Sequence, residues 1–166
     1  MKYNKVASAM LTNDELLHLI AEEKRYTFIA TGMSNYEEID HAVDIFKKYG
    51  CPFELMHCNS TYPMAEKDAN LKLVGVLADR YGCKVGYSGH EAGTMVSTLA
   101  VAMGATSIER HITMDKHMYG SDQKASIEPY ELCTLVKQIR DTEIIMGSGE
   151  KVLSAAEEET KKKLRG

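Results

Sequence analysis

Apolar residues recur along the chain with two alternating periods. Short runs rich in Val, Ile, Phe and Leu are each followed by a stretch whose apolar positions lie three and four apart, with glycines at many of the joins. Residues 3–8 predict a first strand. Thr12-Asn13-Asp14-Glu15 then fits a capping box, with Leu16, Leu19 and Ile20 as the apolar stripe behind it. Residues 27–32 predict a second strand. Ser34-Asn35-Tyr36-Glu37 is a second capping box, Ile39, Ala42, Val43 and Phe46 follow at helical spacing, and Gly50 stops that helix. Residues 53–58 predict a third strand. A loop through Ser60, Thr61, Tyr62 and Pro63 leads to a helix carrying Leu71, Val74, Leu77 and Ala78, closed by Gly82.

A fourth strand ends at His90. The helix after it carries Met95, Val96, Leu99, Ala100 and Met103 and ends at Gly104. A fifth strand runs from Ser107 towards Thr113, and a polar loop passes through Gly120, Asp122 and Ser126. Pro129 suits the first turn of a last helix, whose apolar face is Leu132, Leu135, Val136 and Ile139. Five βα units in succession predict an α/β protein with a parallel sheet and right-handed crossovers. Residues 1–150 read as one domain and residues 151–166 as a charged helical tail or linker.

The two strands around residues 85–90 and 107–113 break their own pattern. A parallel sheet covered on both faces calls for Val and Ile, yet these segments carry Ser88, His90, Glu109 and His111. Ser88 and His90 are two apart and so share a side of the sheet, as do Glu109 and His111. Two neighbouring strands that each present an imidazole at the C-terminal end suit a divalent metal. Lys5, Ser8, Thr31, Ser60 and Tyr62 also fall at or just past strand ends. Polar groups on every strand favour a barrel, where all strands meet at one mouth, over an open nucleotide-binding sheet. No GxGxxG or phosphate-binding P-loop motif is present. A full (β/α)8 barrel needs about 250 residues and eight units. Five units therefore predict a partial (β/α)8 TIM barrel or a smaller open sheet.

Composition narrows the class. The chain has 166 residues, 44% hydrophobic and 27% charged, which suits one domain with a real core. A net charge of -4 argues against nucleic acid as a partner, and no apolar run is long enough to span a membrane. Cys51, Cys58, Cys83 and Cys133 show no CxxC spacing and read as reduced thiols of a cytoplasmic protein. Each candidate has a plainer reading beside the chemical one. His90 as a core histidine bonds a backbone carbonyl. Lys5 as a strand-end lysine reaches solvent. Ser8, Ser60, Ser88 and Asp122 can be turn residues. Cys58, beside His57, is a further donor candidate set against an ordinary core cysteine.

Six stretches, in order and at matching spacing, resemble the sialic acid synthase (N-acetylneuraminate synthase) family. They are residues 5–8 (Lys-Val-Ala-Ser), 30–33 (Ala-Thr-Gly-Met), 57–63 (His-Cys-Asn-Ser-Thr-Tyr-Pro), 86–90 (Gly-Tyr-Ser-Gly-His), 109–113 (Glu-Arg-His-Ile-Thr) and 120–126 (Gly-Ser-Asp-Gln-Lys-Ala-Ser). The resemblance implies a (β/α)8 enzyme, of which this chain matches the last five units. That enzyme condenses phosphoenolpyruvate with N-acetylmannosamine or a related N-acylated amino sugar and releases phosphate. It implies a divalent metal, manganese with magnesium or cobalt as alternatives, on His90 and His111. Lys5, Ser8, Ser60 and Ser88 match positions that hold phosphoenolpyruvate, and Tyr62 and Asp122 match positions at the reacting centre. One departure is Met10, two past Ser8, where the family usually carries an acidic residue. The family also has three further βα units before the Lys5 strand and a small domain after the barrel. A barrel short of three strands has two unpaired edges, so a homo-oligomer is expected to cover them. Two other readings remain open: a remnant binding only metal or anion, and another phosphoenolpyruvate-dependent aldol-type barrel synthase.

Overall fold

The computed structural model describes residues 1–165. Five parallel strands form one sheet in sequence order: β1 (Asn4–Val6), β2 (Thr27–Ala30), β3 (Phe53–Cys58), β4 (Val85–Gly89) and β5 (Ile108–Arg110). Helices α1 (Asp14–Glu22), α2 (Tyr36–Tyr49), α3 (Leu73–Tyr81) and α4 (Met95–Ala102) alternate with them. Helices α5 (Pro129–Met146) and α6 (Ala155–Arg165) close the chain. The sheet curls as the expected partial barrel does.

The main core lies between the sheet and its helices. Val6, Ile29, Leu55 and Val85 from the strands meet Leu17 and Ala21 of α1, Ile39, Val43 and Phe46 of α2, and Val74 and Leu77 of α3. Tyr87 packs with Val96 and Ala100 of α4 in a second cluster. The other face of the sheet holds only a small cluster of Ala30, Met56 and Cys58, with Phe28 half-buried against it. The stripe expected on α1 is displaced by one residue. Leu17 and Ala21 are buried, Leu16 and Ile20 are half-buried, and Leu19 faces solvent. Consecutive leucines satisfy either phase, and the approach of α2 selects one. Both caps sit one residue later than expected, and only the one at α2 is a reciprocal box. Asn13 caps α1 by accepting from the Leu16 amide, and Asn35 with Glu38 forms the box at α2. Gly50 and Gly82 end α2 and α3 in the left-handed conformation (φ +61° in each), where a side chain would be strained.

β5 departs from the expectation of burial on both faces. All of β4 is buried, but the residues of β5 are only half-covered as wholes, because it is an edge strand, although the Arg110 side chain itself is enclosed. On α5 only Leu135 is buried, while Leu132 and Val136 face solvent. A carboxylate near the start of β3 was not foreseen. Glu54 is buried and accepts from the hydroxyls of Tyr26 (2.7 Å), Thr106 (2.8 Å) and Ser107. Three donors offset its loss of water. Burial and the nearby Glu54 carboxylate raise the pKa of the Tyr26 phenol.

No residue of α6 is buried. Truncation after Glu150 should therefore change the free energy of unfolding in urea by less than about 0.5 kcal/mol. Phe46→Ala, at a fully enclosed position, should cost about 3–5 kcal/mol.

Candidate active site

Parallel pairing puts Cys58 beside Ser88 and Ser88 beside Glu109. The residues just past the strand ends then converge. Lys5, Ser8, Ser60, Tyr62, Ser88, His90 and His111, together with Glu109, line one pocket of about 430 Å³. That volume falls in the range of small-molecule sites. Asp122 stands beside the pocket, its Oδ2 3.8 Å from Nδ1 of His111, longer than a hydrogen bond. These side chains thus gather at the C-terminal edge of the sheet, whereas Thr31 donates to the Met56 carbonyl and does not line this pocket.

The His90 and His111 rings meet edge to face, with centroids 5.3 Å apart and planes 63° apart. His90 is almost fully buried, and its Nδ1 lies 2.6 Å from the Asn59 carbonyl oxygen. A carbonyl only accepts, so Nδ1 carries the proton and Nε2 keeps its lone pair. Burial lowers the His90 pKa and favours the neutral ring. Neutral, with one nitrogen fixed by a backbone carbonyl, is the state in which an imidazole binds a metal. The two imidazoles would offer a divalent ion a nitrogen pair, and no group of three or more His, Cys, Asp or Glu side chains assembles for one among the described residues. Two protein donors leave coordination positions to water or substrate. The ring of Tyr62 lies over His90 at 4.2 Å and edge-on to His111 at 5.6 Å.

The same pocket gathers the Lys5 ammonium and the hydroxyls of Ser8, Ser60 and Ser88. Lys5 Nζ is 3.5 Å from Oε1 of Glu109, and the Ser88 hydroxyl donates to that same oxygen at 2.9 Å. Glu109 thus holds both groups in place, and Ser88 must turn away from it to serve an anion. Ser60 Oγ is enclosed with no hydrogen-bond partner, a polar group still lacking its contact. Gly32 is needed here. A Cβ at that position would strike Ser60 Oγ, and would lie 2.8 Å from Ser8 Oγ and 2.9 Å from Cys58 Sγ.

Cys58 stands with Ser8 (3.2 Å) and accepts from the Gly32 amide, so it belongs to the wall of the hydroxyl cluster. His57 turns the other way, its Nε2 2.8 Å from the Ala69 carbonyl, and is a core histidine. Met10 packs against the main core and does not line the pocket. Glu109 was legible as sharing a face with His111 but carried no assigned role. The buried ion pair of Glu91 with Arg110 was missed altogether. Its signal was two charged residues inside otherwise covered segments.

The NeuB family model matches residues 1–151. An N,N'-diacetyllegionaminic acid synthase of Legionella pneumophila is 44% identical over 156 residues, 91% of this chain and 44% of that protein. The N-acetylneuraminate-9-phosphate synthase of Mus musculus is 38% identical over 96% of this chain and 45% of its own length. A crystal structure of the N-acetylneuraminic acid (sialic acid) synthetase of Leptospira borgpetersenii in complex with citrate superposes with a TM-score of 0.90 at 39% identity. The match covers 99% of this chain and 59% of that one. The chain spans about half the length of the curated relatives it matches.

His57 gives a pH dependence. Burial lowers its pKa below the ordinary 6.5, so the unfolded chain takes up the proton first as pH falls. Stability should be full above about pH 6.5 and decline as the pH drops through that value. In urea titrations at pH 7 and 5.5, His57→Gln should show a smaller decline than the parent. Equal declines would show that His57 contributes nothing to the pH dependence.

Proposed function

The chain belongs to the NeuB family, and from that premise we propose that it forms the phosphoenolpyruvate- and metal-holding part of a nonulosonate synthase. The reaction joins phosphoenolpyruvate to an N-acylated amino sugar, N-acetylmannosamine or a close relative, and releases phosphate. The observation that carries this reading is that Lys5, Ser8, Ser60 and Ser88 line one pocket with His90 and His111.

The ammonium of Lys5 and the three hydroxyls hold the carboxylate and phosphate of phosphoenolpyruvate. A divalent ion, manganese with magnesium or cobalt as alternatives, held by His90 and His111 would supply Lewis-acid polarisation of the sugar aldehyde. The methylene carbon of phosphoenolpyruvate then attacks the aldehyde carbon, and C2 becomes oxocarbenium-like. The carbonyl π pair moves onto the aldehyde oxygen, which takes a proton from solvent to become a hydroxyl. Water adds to C2, and Asp122, beside His111, takes its proton. The tetrahedral centre collapses to a ketone by breaking the C–O bond to phosphate. Tyr62, stacked on His90, closes the solvent side and orients the aldehyde.

The exposed apolar strip of Ile112, Leu132 and Val136 beside the free edge of β5 is the contact face of a homo-oligomer. Sedimentation should give a mass above that of one chain. A compact monomer with little dye binding rules this assembly out.

Manganese titration followed by electron paramagnetic resonance should show one site, weakened at least ~10-fold by His90→Ala. Calorimetry with phosphoenolpyruvate should show binding weakened roughly 10–100-fold by Lys5→Ala, the loss of one charge-assisted contact. No manganese site in the parent, or one indifferent to His90→Ala, would sink the metal assignment. Phosphoenolpyruvate binding unchanged in Lys5→Ala would sink the anion assignment.

A further inference from the structure

We propose that the buried ion pair between Glu91 and Arg110 is a positioning device that fixes His90 against His111 from the opposite side of the sheet. The inference rests on the reading of those histidines as metal ligands. Glu91 directly follows His90, and Arg110 directly precedes His111. The two charged side chains are withdrawn from solvent (0% and 3% exposed), while the two rings meet at the pocket.

One guanidinium grips two site-bearing loops at once. Nη1 donates to Glu91 Oε1 at 3.0 Å and to the Gly93 carbonyl at 2.7 Å. Nη2 donates to the carbonyl of Glu91 at 2.5 Å and to that of Ala125 at 3.4 Å. Glu91 and Gly93 lie in the loop that carries His90, and Ala125 lies three residues past Asp122. The Glu91 carboxylate is itself held by the hydroxyls of Ser97 (2.7 Å) and Tyr87 (3.0 Å). Gly89 leaves the room this requires, since a Cβ there would lie 2.6 Å from Glu91 Oε2 and 2.9 Å from Arg110 Cδ. A buried ion pair adds little stability over apolar residues of the same volume. Directional bonds from one planar group to three carbonyls fix geometry, which apolar residues do not.

The experiment compares the parent with Glu91→Leu/Arg110→Met, with Arg110→Lys, and with Phe46→Leu as a control destabilised elsewhere. Manganese affinity, inter-ring nuclear Overhauser contacts between His90 and His111, and thermal midpoint are measured on each. The double variant is expected to keep a midpoint near the parent's, lose the inter-ring contacts and bind manganese at least ~10-fold more weakly. Arg110→Lys, whose single ammonium cannot reproduce the fork, is expected to lose the same contacts and serves if the double variant fails to fold. Phe46→Leu should keep parent affinity and contacts despite a lower midpoint. Parent-like contacts and affinity in the folded Arg110 variants would overturn the proposal. If the parent binds no manganese but the variants still lose the inter-ring contacts, positioning stands and the metal reading fails by itself.

Discussion

The parallel register of β4 with β5, Ser88 beside Glu109, is the constraint from which the pocket follows. Strand pairing fixes neighbouring backbones about 4.8 Å apart and leaves side-chain direction no freedom beyond alternation. With Ser88 set against Glu109, the residues two further on, His90 and His111, fall side by side with rings 5.3 Å apart. A slip of one residue would turn one imidazole into the α4 side of the sheet. The same register puts Arg110 behind the sheet, where it meets Glu91. One pairing therefore sets both the reactive face and its support.

Three carboxylates in this sheet illustrate how surroundings decide a role. Glu54 is enclosed and surrounded by hydroxyl donors, and it knits β3 to the approach to β5. Glu91 is enclosed and faces a guanidinium, so removing either partner alone would leave a buried charge at a cost of about 3–5 kcal/mol. Glu109 is half-open and shares one oxygen between Lys5 and Ser88. Only the last meets solvent, and only the last lines the pocket.

The sheet presents two unequal faces. Its helix side is sealed by α1 to α4 around the main core. Among the described residues, the apolar cluster on its other side is confined to Ala30, Met56 and Cys58, with Phe28 half-buried against it. β1 and β5 each have one unpaired edge among the described residues. An open edge beside exposed Leu132 and Val136 is a surface that apolar burial would favour covering. No described helix is long and apolar enough to cross a membrane.

The order and type of the five βα units were legible in the sequence, because strand and helix impose different periods on apolar residues. So was the gathering of Lys5, Ser8, Ser60, Tyr62, Ser88, His90 and His111, since each stands at or near a strand end and parallel strands share that end; Asp122, in the loop well past β5, was placed there only by the family resemblance. Local pattern put the phase of α1 and the caps at Asn13 and Asn35 one residue out, because adjacent residues offered the same chemistry in two registers. The tautomer of His90, the engagement of the Ser88 proton by Glu109 and the pairing of Glu91 with Arg110 were settled only in three dimensions. Each depends on a partner 19 to 31 residues away. Sequence spacing fixes what lies along a strand, whereas the distance across strands exists only after the sheet has formed.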